Sequence, residues 1–392
     1  KVLMRVDFNV PLDSNCTVTD STRIKASLPS IRYVLDRGGA LILMSHLGRP
    51  LGRKQAEFSL APIAKVLSTY LDKTVEMAPD CIGECVKEKV DALKPGNVLL
   101  LENLRFHRAE EHPEEDPAFA KELASFGDFY VNDAFGTAHR KHSSTYTIAH
   151  YFPGKAAAGY LLAKEIYFLS NALTNPERPF YAILGGAKIS TKIGVVKSLL
   201  KKVDRLLIGG GMAYTFLKSK NIEIGDSLIE EECVPMAAEI LKEYGEKIVL
   251  PIDTLAATER KDNASAQLFK IDAGIPKGYQ GLDIGPHTVQ LFNHMLKDGK
   301  TILWNGPLGV YEIERFAQGT IAVAQCIAHL DAVTIVGGGD LVAAIAQAGG
   351  SDKITHISTG GGATLEFIEL GTLPGIEALS PSSTPYSRLN SK

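Results

Sequence analysis

The sequence lacks the features of a membrane, exported or zinc-cluster protein. Its 392 residues contain no apolar run near the ~18 residues that a membrane-spanning helix needs. The five cysteines are scattered and form no CxxC pair, which argues against a disulfide framework and a structural zinc site. The chain opens on a predicted strand rather than a signal peptide. We therefore expect a protein of the reducing cytoplasm, and we expect residues before this strand to be missing.

An excess of one charge is also lacking. The formal net charge is −3, and charged residues make up 22% of the chain. This balance argues against a nucleic-acid coat or a membrane-surface protein, so the expected partners are small molecules or proteins. Neither GxxxxGK[ST] nor a complete GxGxxG occurs in the sequence. The usual P-loop and the dinucleotide fingerprint are therefore absent, which weighs against a dehydrogenase.

What the sequence does contain is an alternation of short apolar runs and amphipathic stretches. The predicted strands cover residues 2–6, 40–44, 98–101, 129–131, 180–184, 206–208, 248–250, 301–304, 333–336 and 354–357. Alternating strands and helices predict an α/β fold of two domains, each a doubly wound, Rossmann-like parallel sheet flanked by helices. The predicted segments are an N-terminal domain at 1–160, a hinge helix at 161–179, a C-terminal domain at 180–370 and a tail at 371–392, which is either frayed or packed back on the N-terminal domain.

The two halves differ in their candidate binding groups. All three GGG tracts lie in the second half, at 209–211, 337–339 and 360–362, and each follows a predicted strand. Such turns are either close-packed bends or a phosphate site at helix N-termini, and three of them favour a single crevice. Lys188 and Lys192 follow another glycine turn. Their spacing predicts one face of a helix, either solvated or in contact with phosphate.

Arginines are concentrated in the first half, with nine in residues 1–150 and five in the remaining 242. Arginine binds carboxylate and phosphate with two parallel hydrogen bonds, so a converging set predicts a clamp for a multiply charged acid. We interpret His46 as a hydrogen-bond donor rather than a metal ligand, and His107 and His112 as surface residues. The candidate groups near strand ends are Asp7, Asn9, Arg23, His46, Arg49, Arg105, His139, Arg140 and His142.

Together the motifs resemble the phosphoglycerate kinase family over nearly the whole chain. They are RVDFNVP, SHLGRP, LENLRFH, NDAFGTAHR, GGAK, IGGGMAYTFLK, WNGPLGVYE, VGGGD and HISTGGGA, in that order. The resemblance implies a two-domain hinge enzyme, monomeric and cytoplasmic. Such an enzyme transfers the acyl phosphate of 1,3-bisphosphoglycerate to MgADP and gives 3-phosphoglycerate and MgATP.

The resemblance also implies roles for particular residues. The acid substrate would contact Asp7, Phe8, Asn9, Arg23, His46, Leu47, Gly48, Arg49, Arg105 and Arg140. The nucleotide would contact Gly186, Ala187, Lys188, Lys192, Gly211, Gly281, Asn305, Glu312, Gly337, Gly338, Gly339, Asp340 and Leu341. Asp340 would hold the nucleotide's Mg²⁺, the expected cofactor. Leu341 departs from the family, which usually has Thr or Ser there, so a hydroxyl is missing.

The chemistry needs no general base, because a carboxylate nucleophile is already ionised at pH 7. No covalent enzyme intermediate is required either. We expect Arg23 and Lys192 to bind the migrating phosphoryl group, with Lys188, Mg²⁺ and the N–H groups of Gly338 and Gly361 completing the site. Two alternatives stay open: a nicotinamide or sugar-phosphate oxidoreductase, which NAD binding would reveal, and a non-catalytic phosphometabolite sensor.

Overall fold

The computed structural model describes residues 1–379 and divides them into two compact units. Unit 1 comprises Lys1–Tyr167 together with the segment that starts at Thr372, and unit 2 comprises Phe168–Gly371. The predicted tail beyond residue 379 lies outside the described residues. Among those that are described, no helix is both long and apolar enough to cross a lipid bilayer.

Unit 1 is built on a six-stranded parallel sheet with the strand order β3-β4-β2-β1-β5-β6. Its strands are β1 (Val2–Val6), β2 (Leu41–Met44), β3 (Val75–Met77), β4 (Val98–Leu100), β5 (Phe129–Asp133) and β6 (Ala156–Ala158). Its first four helices are α1 (Thr22–Asp36), α2 (Ala61–Leu71), α3 (Glu84–Ala92) and α4 (Pro117–Ala124). The strands β1, β2 and β4 are almost wholly buried, as parallel strands covered on both faces must be.

Two strands of this sheet were not predicted. The strand β3 contains an exposed Glu76, and β6 consists of three alanines, so neither is a β-branched apolar run. Both lie at the edges of the sheet. Their pairing comes from the neighbouring strand rather than from a local sequence signal.

The helix α5 (Tyr160–Thr174) carries the chain from unit 1 into unit 2. Its first turn is held by Asp133, whose Oδ1 accepts hydrogen bonds from the backbone N–H groups of Leu161 at 2.8 Å and Leu162 at 3.2 Å. The helix ends before Asn175-Pro176, where a proline disfavours helical geometry in the preceding residue.

Unit 2 contains a second six-stranded parallel sheet, with the order β15-β14-β13-β7-β8-β9. The strands of this unit are β7 (Phe180–Leu184), β8 (Arg205–Ile208), β9 (Ile248–Val249), β10 (Asp253–Ala257), β11 (Ala266–Lys270), β12 (Gln280–Ile284), β13 (Thr301–Asn305), β14 (Val333–Gly337) and β15 (His356–Ile357). Its helices are α6 (Ile193–Leu200), α7 (Met212–Ser219), α8 (Val234–Tyr244), α9 (Pro286–Leu296), α10 (Gln318–Ile327), α11 (Gly339–Gln347) and α12 (Gly362–Leu370). The short α13 (Pro374–Glu377) belongs to unit 1.

A small antiparallel sheet of unit 2 was also not predicted. It has the order β11-β10-β12, and its pairing shifts register between Leu255 and Ala256. The strand β11 is mostly exposed, and its apolar residues are interrupted by Gln267 and end at Lys270, so it lacks the continuous apolar run that signals a buried strand. Its strand β12 carries Gly281, one of the residues predicted to contact the nucleotide.

Candidate active site

In unit 1, the polar residues lie beyond the carboxyl ends of the parallel strands. Asp7 follows β1, His46 follows β2, Arg105 comes after β4 and Arg140 after β5, while Arg23 lies in the first turn of α1. Because these strands run parallel, their carboxyl ends share one edge of the sheet. We call these residues, with Asn9, Gly48 and Arg49, the acid half-site.

The Arg23 side chain is held by a buried carboxylate. Its Nη1 donates to Oδ2 of Asp7 at 2.9 Å, and Oδ1 of Asp7 accepts from the Asn9 N–H at 3.2 Å. Asp7 is buried, whereas the Arg23 side chain remains 37% exposed. The guanidinium is therefore oriented by one partner and still open to an anion.

The turn after β2 is fixed by hydrogen bonds between two neighbouring side chains and the backbone of Gly48. Oδ1 of Asn9 accepts from the Gly48 N–H at 2.9 Å, and Nη1 of Arg105 donates to the Gly48 carbonyl at 2.8 Å. Gly48 has φ +61°, and a Cβ there would lie 2.4 Å from the Phe58 ring. Only glycine fits this position, and the next residue, Arg49, is exposed.

Phe8 and Leu47 do not present their side chains as binding groups, because both side chains lie in the core of unit 1. The Phe8 N–H donates to Oγ of Ser45 at 2.9 Å, and the Leu47 N–H donates to Oδ1 of Asn103 at 3.2 Å. Their backbone donors are thus already in use. A contact between either residue and a ligand remains a prediction.

An acidic residue that was not predicted joins two of the arginines. Oε1 of Glu111 lies 3.1 Å from Nη2 of Arg105 and 4.0 Å from Nη1 of Arg140. Burial, partly offset by Glu111, lowers the pKa of Arg105. The half-site is therefore a cation cluster that Glu111 partly neutralises.

His46 is buried beside a second arginine that sequence reasoning missed. Nη2 of Arg5 lies 3.1 Å from Nδ1 of His46. Burial, and then the charges of Arg5, Arg105 and Arg23, hold the pKa of His46 well below its usual range. A neutral ring that accepts at Nδ1 carries its proton on Nε2, an assignment made from the hydrogen-bond network. His46 can thus donate to a ligand, as the sequence suggested.

Arg5 is fully buried, and its contacts explain how a strand tolerates it. Its Nε donates to Oγ of Ser144 at 2.8 Å, and its Nη2 lies 3.9 Å from Oε1 of the buried Glu110. A buried charge needs such partners. Arg5 could have been noticed in the sequence, because it is a charged residue inside the otherwise apolar run VLMRV.

The other four histidines singled out from the sequence differ in their burial and in their contacts. Burial is the main cause of a lowered pKa in two of them: it lowers the pKa of His139, and it lowers the pKa of His142 to about 3. The interpretation of His107 as a plain surface residue was wrong, because it is half-buried, stacks on Phe119 and lies 2.5 Å from Asp80 through Nε2. His112 is exposed.

In unit 2, a cavity of about 230 Å³ opens beside the glycine turns that follow β7 and β8. The predicted residues that line it are Gly186, Ala187, Gly211, Gly281, Glu312 and Asp340. Residues that sequence reasoning missed include Tyr214, Leu228, Arg260 and Tyr311. The turns pack closely, because a Cβ on Gly210 would lie 2.6 Å from the Gly186 nitrogen.

Glu312 and Arg260 face each other at the rim of this cavity. Nη2 of Arg260 lies 3.4 Å from Oε1 of Glu312, and both side chains are more than half exposed. An exposed pair of this kind contributes little to stability. Both side chains are therefore available to a ligand.

The two lysines are arranged differently from the prediction. The helix α6 begins at Ile193, so Lys188 and Lys192 lie in the preceding turn and not on one helix face. The glycine turn after β7 extends the loop and delays the helix. Lys188 is exposed, whereas Lys192 is buried.

Lys192 is surrounded by oxygen atoms of two strand ends. Its Nζ donates to the Gly185 carbonyl at 2.6 Å and to Oδ1 of Asn305 at 2.9 Å. Burial lowers its pKa to about 8, and the charge of Asp340 opposes this shift. The ammonium is therefore desolvated without a carboxylate in hydrogen-bond contact, which favours an incoming anion.

Asn305 has an unused donor. The residue is 3% exposed, and its Nδ2 has no hydrogen-bond partner among the described residues. It lies near Gly337 and Gly338, since a Cβ on either glycine would come within 3.4–3.5 Å of this nitrogen. A buried donor without a partner is costly, so a ligand acceptor here would be favourable.

Asp340 and Leu341 begin α11 but face different surroundings. Asp340 is exposed at the cavity, and the Tyr311 hydroxyl donates to its Oδ1 at 3.0 Å. Leu341 has no exposed surface and packs in the core of unit 2. The Leu341 side chain therefore contributes packing at a position where a hydroxyl was expected.

The third GGG tract is not part of this cavity. Gly361 precedes α12 with φ +49°, and none of residues 360–362 lines the 230 Å³ space. Residues 337–339 do not line it either, although the next residue, Asp340, does, so among the described residues only the tract at 209–211 lines the cavity and the predicted single crevice of three tracts is not seen. A phosphate contact at Gly361 stays a prediction.

Comparisons with known proteins agree on one family. The family model described as phosphoglycerate kinase matches residues 1–370. A phosphoglycerate kinase of Chlamydia muridarum (strain MoPn / Nigg) is 54% identical over 388 residues, which cover 97% of this chain and 96% of that protein. One from Chlamydia trachomatis serovar L2 is 52% identical over 390 residues, covering 98% and 96%.

Solved structures give the same result. The phosphoglycerate kinase of Coxiella burnetii matches with a TM-score of 0.87 and 40% identity, covering 97% of this chain and 96% of that chain. The phosphoglycerate kinase of Pyrococcus horikoshii OT3 matches with a TM-score of 0.84 and 35% identity, covering 96% and 95%.

Proposed function

The chain belongs to the phosphoglycerate kinase family, and we propose that its two units divide the two substrates between them. It is a phosphotransferase of glycolysis, a family whose substrates are phosphoglycerates and ADP or ATP. The proposed reaction is the reversible in-line transfer of the acyl phosphate of 1,3-bisphosphoglycerate to MgADP. Its products are 3-phosphoglycerate and MgATP.

The acid half-site is the proposed site of the phosphoglycerate. Arg23, Arg49 and Arg140 are at least partly exposed and lie beyond strand ends or beside them. Arginine forks suit carboxylate and phosphate, and a neutral His46 adds a donor without adding charge. Support comes from this excess of donors at one sheet edge. We assign this role to the predicted N-terminal domain, residues 1–160.

The nucleotide half-site is the proposed site of ADP or ATP, in the predicted domain 180–370. We define it by the cavity residues Gly186, Ala187, Gly211, Gly281 and Glu312, by Lys188, Lys192 and Asn305, and by residues 337–341 and Gly361. The glycines let phosphates approach the backbone closely, and Glu312 accepts from the ribose. Arg260, which lines the same cavity within ion-pair distance of Glu312, adds a cation.

The observation that carries the proposal most strongly is the buried ammonium of Lys192. Its pKa of about 8 reflects a charge that lacks water and lacks a bonded carboxylate. A phosphoryl oxygen supplies the missing counter-charge. We therefore assign Lys192 and Arg23 to the migrating phosphoryl group, with Lys188, Gly338 and Gly361 as further donors.

The proposed chemistry is positioning and charge neutralisation. The nucleophile in the ATP-consuming direction is a carboxylate, which is ionised at pH 7, so no residue has to act as a base. No covalent enzyme intermediate forms. Motion about the hinge segment 161–179 brings the bound substrates together and excludes the water that would hydrolyse the acyl phosphate.

The residues at α11 fit a magnesium ion with an incomplete protein ligand set. Asp340 offers an exposed carboxylate at the cavity, and Mg²⁺ is commonly held by one or two carboxylates, waters and substrate phosphates. When bound, the ion would neutralise phosphate charge and orient the nucleotide. Asp340 would hold it, and the Tyr311 hydroxyl would orient Asp340.

We also propose that the enzyme is a cytoplasmic monomer. The scattered cysteines, all free among the described residues, agree with a reducing compartment. The mass from light scattering should then equal one chain with and without substrates. A stable dimer would contradict the monomer.

A coupled assay tests the reaction itself. The purified chain should form ATP from 1,3-bisphosphoglycerate only when ADP and Mg²⁺ are both present. A fluorescence titration with NAD should show no saturable binding. Saturable NAD binding with no ATP formation would favour the oxidoreductase, and a failure of both would favour a non-catalytic sensor.

A further inference from the structure

Unit 1 contains a cluster of side chains of the metal-ligating types, outside the acid half-site and separate from Asp340, the proposed magnesium ligand of unit 2. Asp80, Cys81 and His107 each offer a ligand atom, and these atoms all lie within 4.8 Å of one another. We propose that these three residues form a site for a borderline-soft divalent cation such as Zn²⁺, independent of the magnesium that accompanies the nucleotide. A carboxylate, a thiolate and an imidazole are the ligands that Zn²⁺ selects.

The distances are close to those that a bound ion requires. Oδ1 of Asp80 lies 2.5 Å from Nε2 of His107, and Sγ of Cys81 lies 2.9 Å from the Glu102 carbonyl. Zinc–ligand bonds of roughly 2.0–2.3 Å place tetrahedral ligand atoms about 3.5 Å apart. Small side-chain rotations would therefore open the Asp80–His107 pair and turn the thiol toward the ion.

The electrostatic surroundings favour a cation. The carboxylates of Asp80, Glu110 and Glu102 all lie close enough to the Cys81 thiol to act on it electrostatically. The same carboxylates attract a divalent ion, which replaces the thiol proton as that proton leaves to solvent. The opposing charge is Lys54, whose Nζ donates to the Pro79 carbonyl at 2.7 Å.

The fourth ligand would be water. Cys81 is buried, whereas Asp80 and His107 are 41% and 28% exposed, so the site has an inner wall and an open side. The carboxylate of Glu102 is already occupied by Oγ of Ser59 at 2.8 Å and by the backbone N–H groups of Leu60 and Asn103, each at 2.8 Å. Three protein ligands with one open position make a site that binds and releases its ion.

A bound ion would tie two segments together. Asp80 and Cys81 follow β3, while His107 ends the segment 102–107 that also carries Arg105. The ion would thus fix the loop that holds one arginine of the acid half-site. The expected result is higher thermal stability on binding, because an ion that binds only the folded chain stabilises it.

Cobalt reports such a site directly, because a thiolate bound to Co²⁺ gives a charge-transfer absorption that Mg²⁺ cannot give. Titration of the full, reduced chain with Co²⁺ should produce this band with one ion per chain. Zn²⁺ should abolish it and raise Tm. Cys81→Ser should remove the band, and His107→Gln should weaken affinity by at least about 100-fold, since outer-sphere partners alone are worth about 10- to 100-fold.

Cys85→Ser is the matched control, because Cys85 is exposed and only four residues away. It should keep the band and the affinity. Circular dichroism and ATP formation without added Zn²⁺ identify any variant that fails to fold. A band that survives in a folded Cys81→Ser chain, an unchanged Co²⁺ affinity in a folded His107→Gln chain, or a band that disappears in Cys85→Ser would mean adventitious binding and would overturn the site. Kinase activity is scored separately, so failure of this site leaves the proposed reaction untouched.

Discussion

The two half-sites present charge in opposite ways. The acid half-site relies on long cationic side chains that carboxylates orient, as Asp7 orients Arg23 and Glu111 joins Arg105 to Arg140. The nucleotide half-site relies on glycine backbone and on one buried ammonium, Lys192. The first is a surface of charged side chains, and the second combines a glycine-lined cavity with the buried ammonium of Lys192, which lies outside the cavity lining.

The difference is visible in the titrating groups. In unit 1, burial together with nearby arginines lowers the pKa of His46, so the ring stays neutral and the arginines carry the charge. In unit 2, burial lowers the pKa of Lys192, with the Asp340 charge only opposing the shift. We expect a surface rich in cations to tolerate the loss of one, and we expect the nucleotide half-site to depend on the buried ammonium of Lys192. The following experiments test that contrast.

The largest expected effect comes from Arg23. The other arginines of the acid half-site can substitute for one another in binding the acid, but Arg23 is assigned to the migrating phosphoryl group and has no such substitute. Arg23→Ala should lower kcat by about 10²–10³, the cost of removing one donor from developing charge. Nucleotide affinity should change little. Arg32→Ala is the control, since Arg32 is an exposed residue of the same helix. An unchanged kcat would remove Arg23 from the catalytic role.

Lys192 should give stability an unusual pH dependence. Its pKa is about 8 in the folded chain against an ordinary value of 10.5, so folding disfavours the charged form. This cost, about 3 kcal/mol, is fully present below pH 8 and is relieved as the pH rises toward 10.5, because the unfolded chain then holds more protons.

Urea unfolding of the wild type and of Lys192→Met at several pH values measures this effect. The free energy of unfolding of the variant, relative to the wild type, should fall by about 3 kcal/mol between pH 7 and pH 10.5. Lys201→Met, at an exposed lysine beyond the end of α6, should show no such trend. A pH-independent difference for Lys192→Met would contradict a desolvated ammonium.

Asp340→Ala should weaken the response to magnesium. Loss of the proposed carboxylate ligand should raise the Mg²⁺ concentration for half-maximal activity by about 10- to 100-fold. Asp352→Ala removes an exposed carboxylate of the same unit and should leave this concentration unchanged. An equal response in both variants would exclude Asp340 as the ligand.

The smallest effect is expected at Leu341. From the family pattern, Leu341→Thr should leave activity intact or tighten nucleotide binding modestly. Because Leu341 is fully buried, the change should also lower the free energy of unfolding by about 1–3 kcal/mol. The exposed Ala343→Thr in the same helix controls for helix propensity. Equal stability of the two variants would show that the position tolerates a hydroxyl.

The sequence predicted what depends on local pattern. The strands at 2–6 and 180–184 were predicted with the bounds the structure has, because buried parallel strands form continuous apolar runs. The edge strands β3 and β6 and the antiparallel sheet depend on their neighbours and gave no such run. Nothing in the sequence indicated where α6 begins after the glycine turn. The prediction that Lys188 and Lys192 lie on one helix was therefore wrong.

Contacts between residues that are far apart in the chain could not be predicted from the sequence either. Arg23 could be singled out by its motif, but its orientation by Asp7 follows from the fold. Glu111 and Arg260 belong to loops without a distinctive pattern, and nothing local marks either as a neighbour of a candidate binding residue. Leu341 could be recognised as a departure from the family, whereas its burial in the core could be known only from the structure.

The most direct test of the divided site is a pair of binding titrations on two variants. Calorimetry should show that Arg49→Ala weakens the binding of 3-phosphoglycerate and spares that of MgATP, while Lys192→Met weakens the binding of MgATP and spares that of 3-phosphoglycerate. Arg53→Ala, at an exposed arginine near Arg49, should bind both ligands normally. If either active-site variant loses both ligands equally, or each loses the other's ligand, the assignment of one substrate to each unit is contradicted.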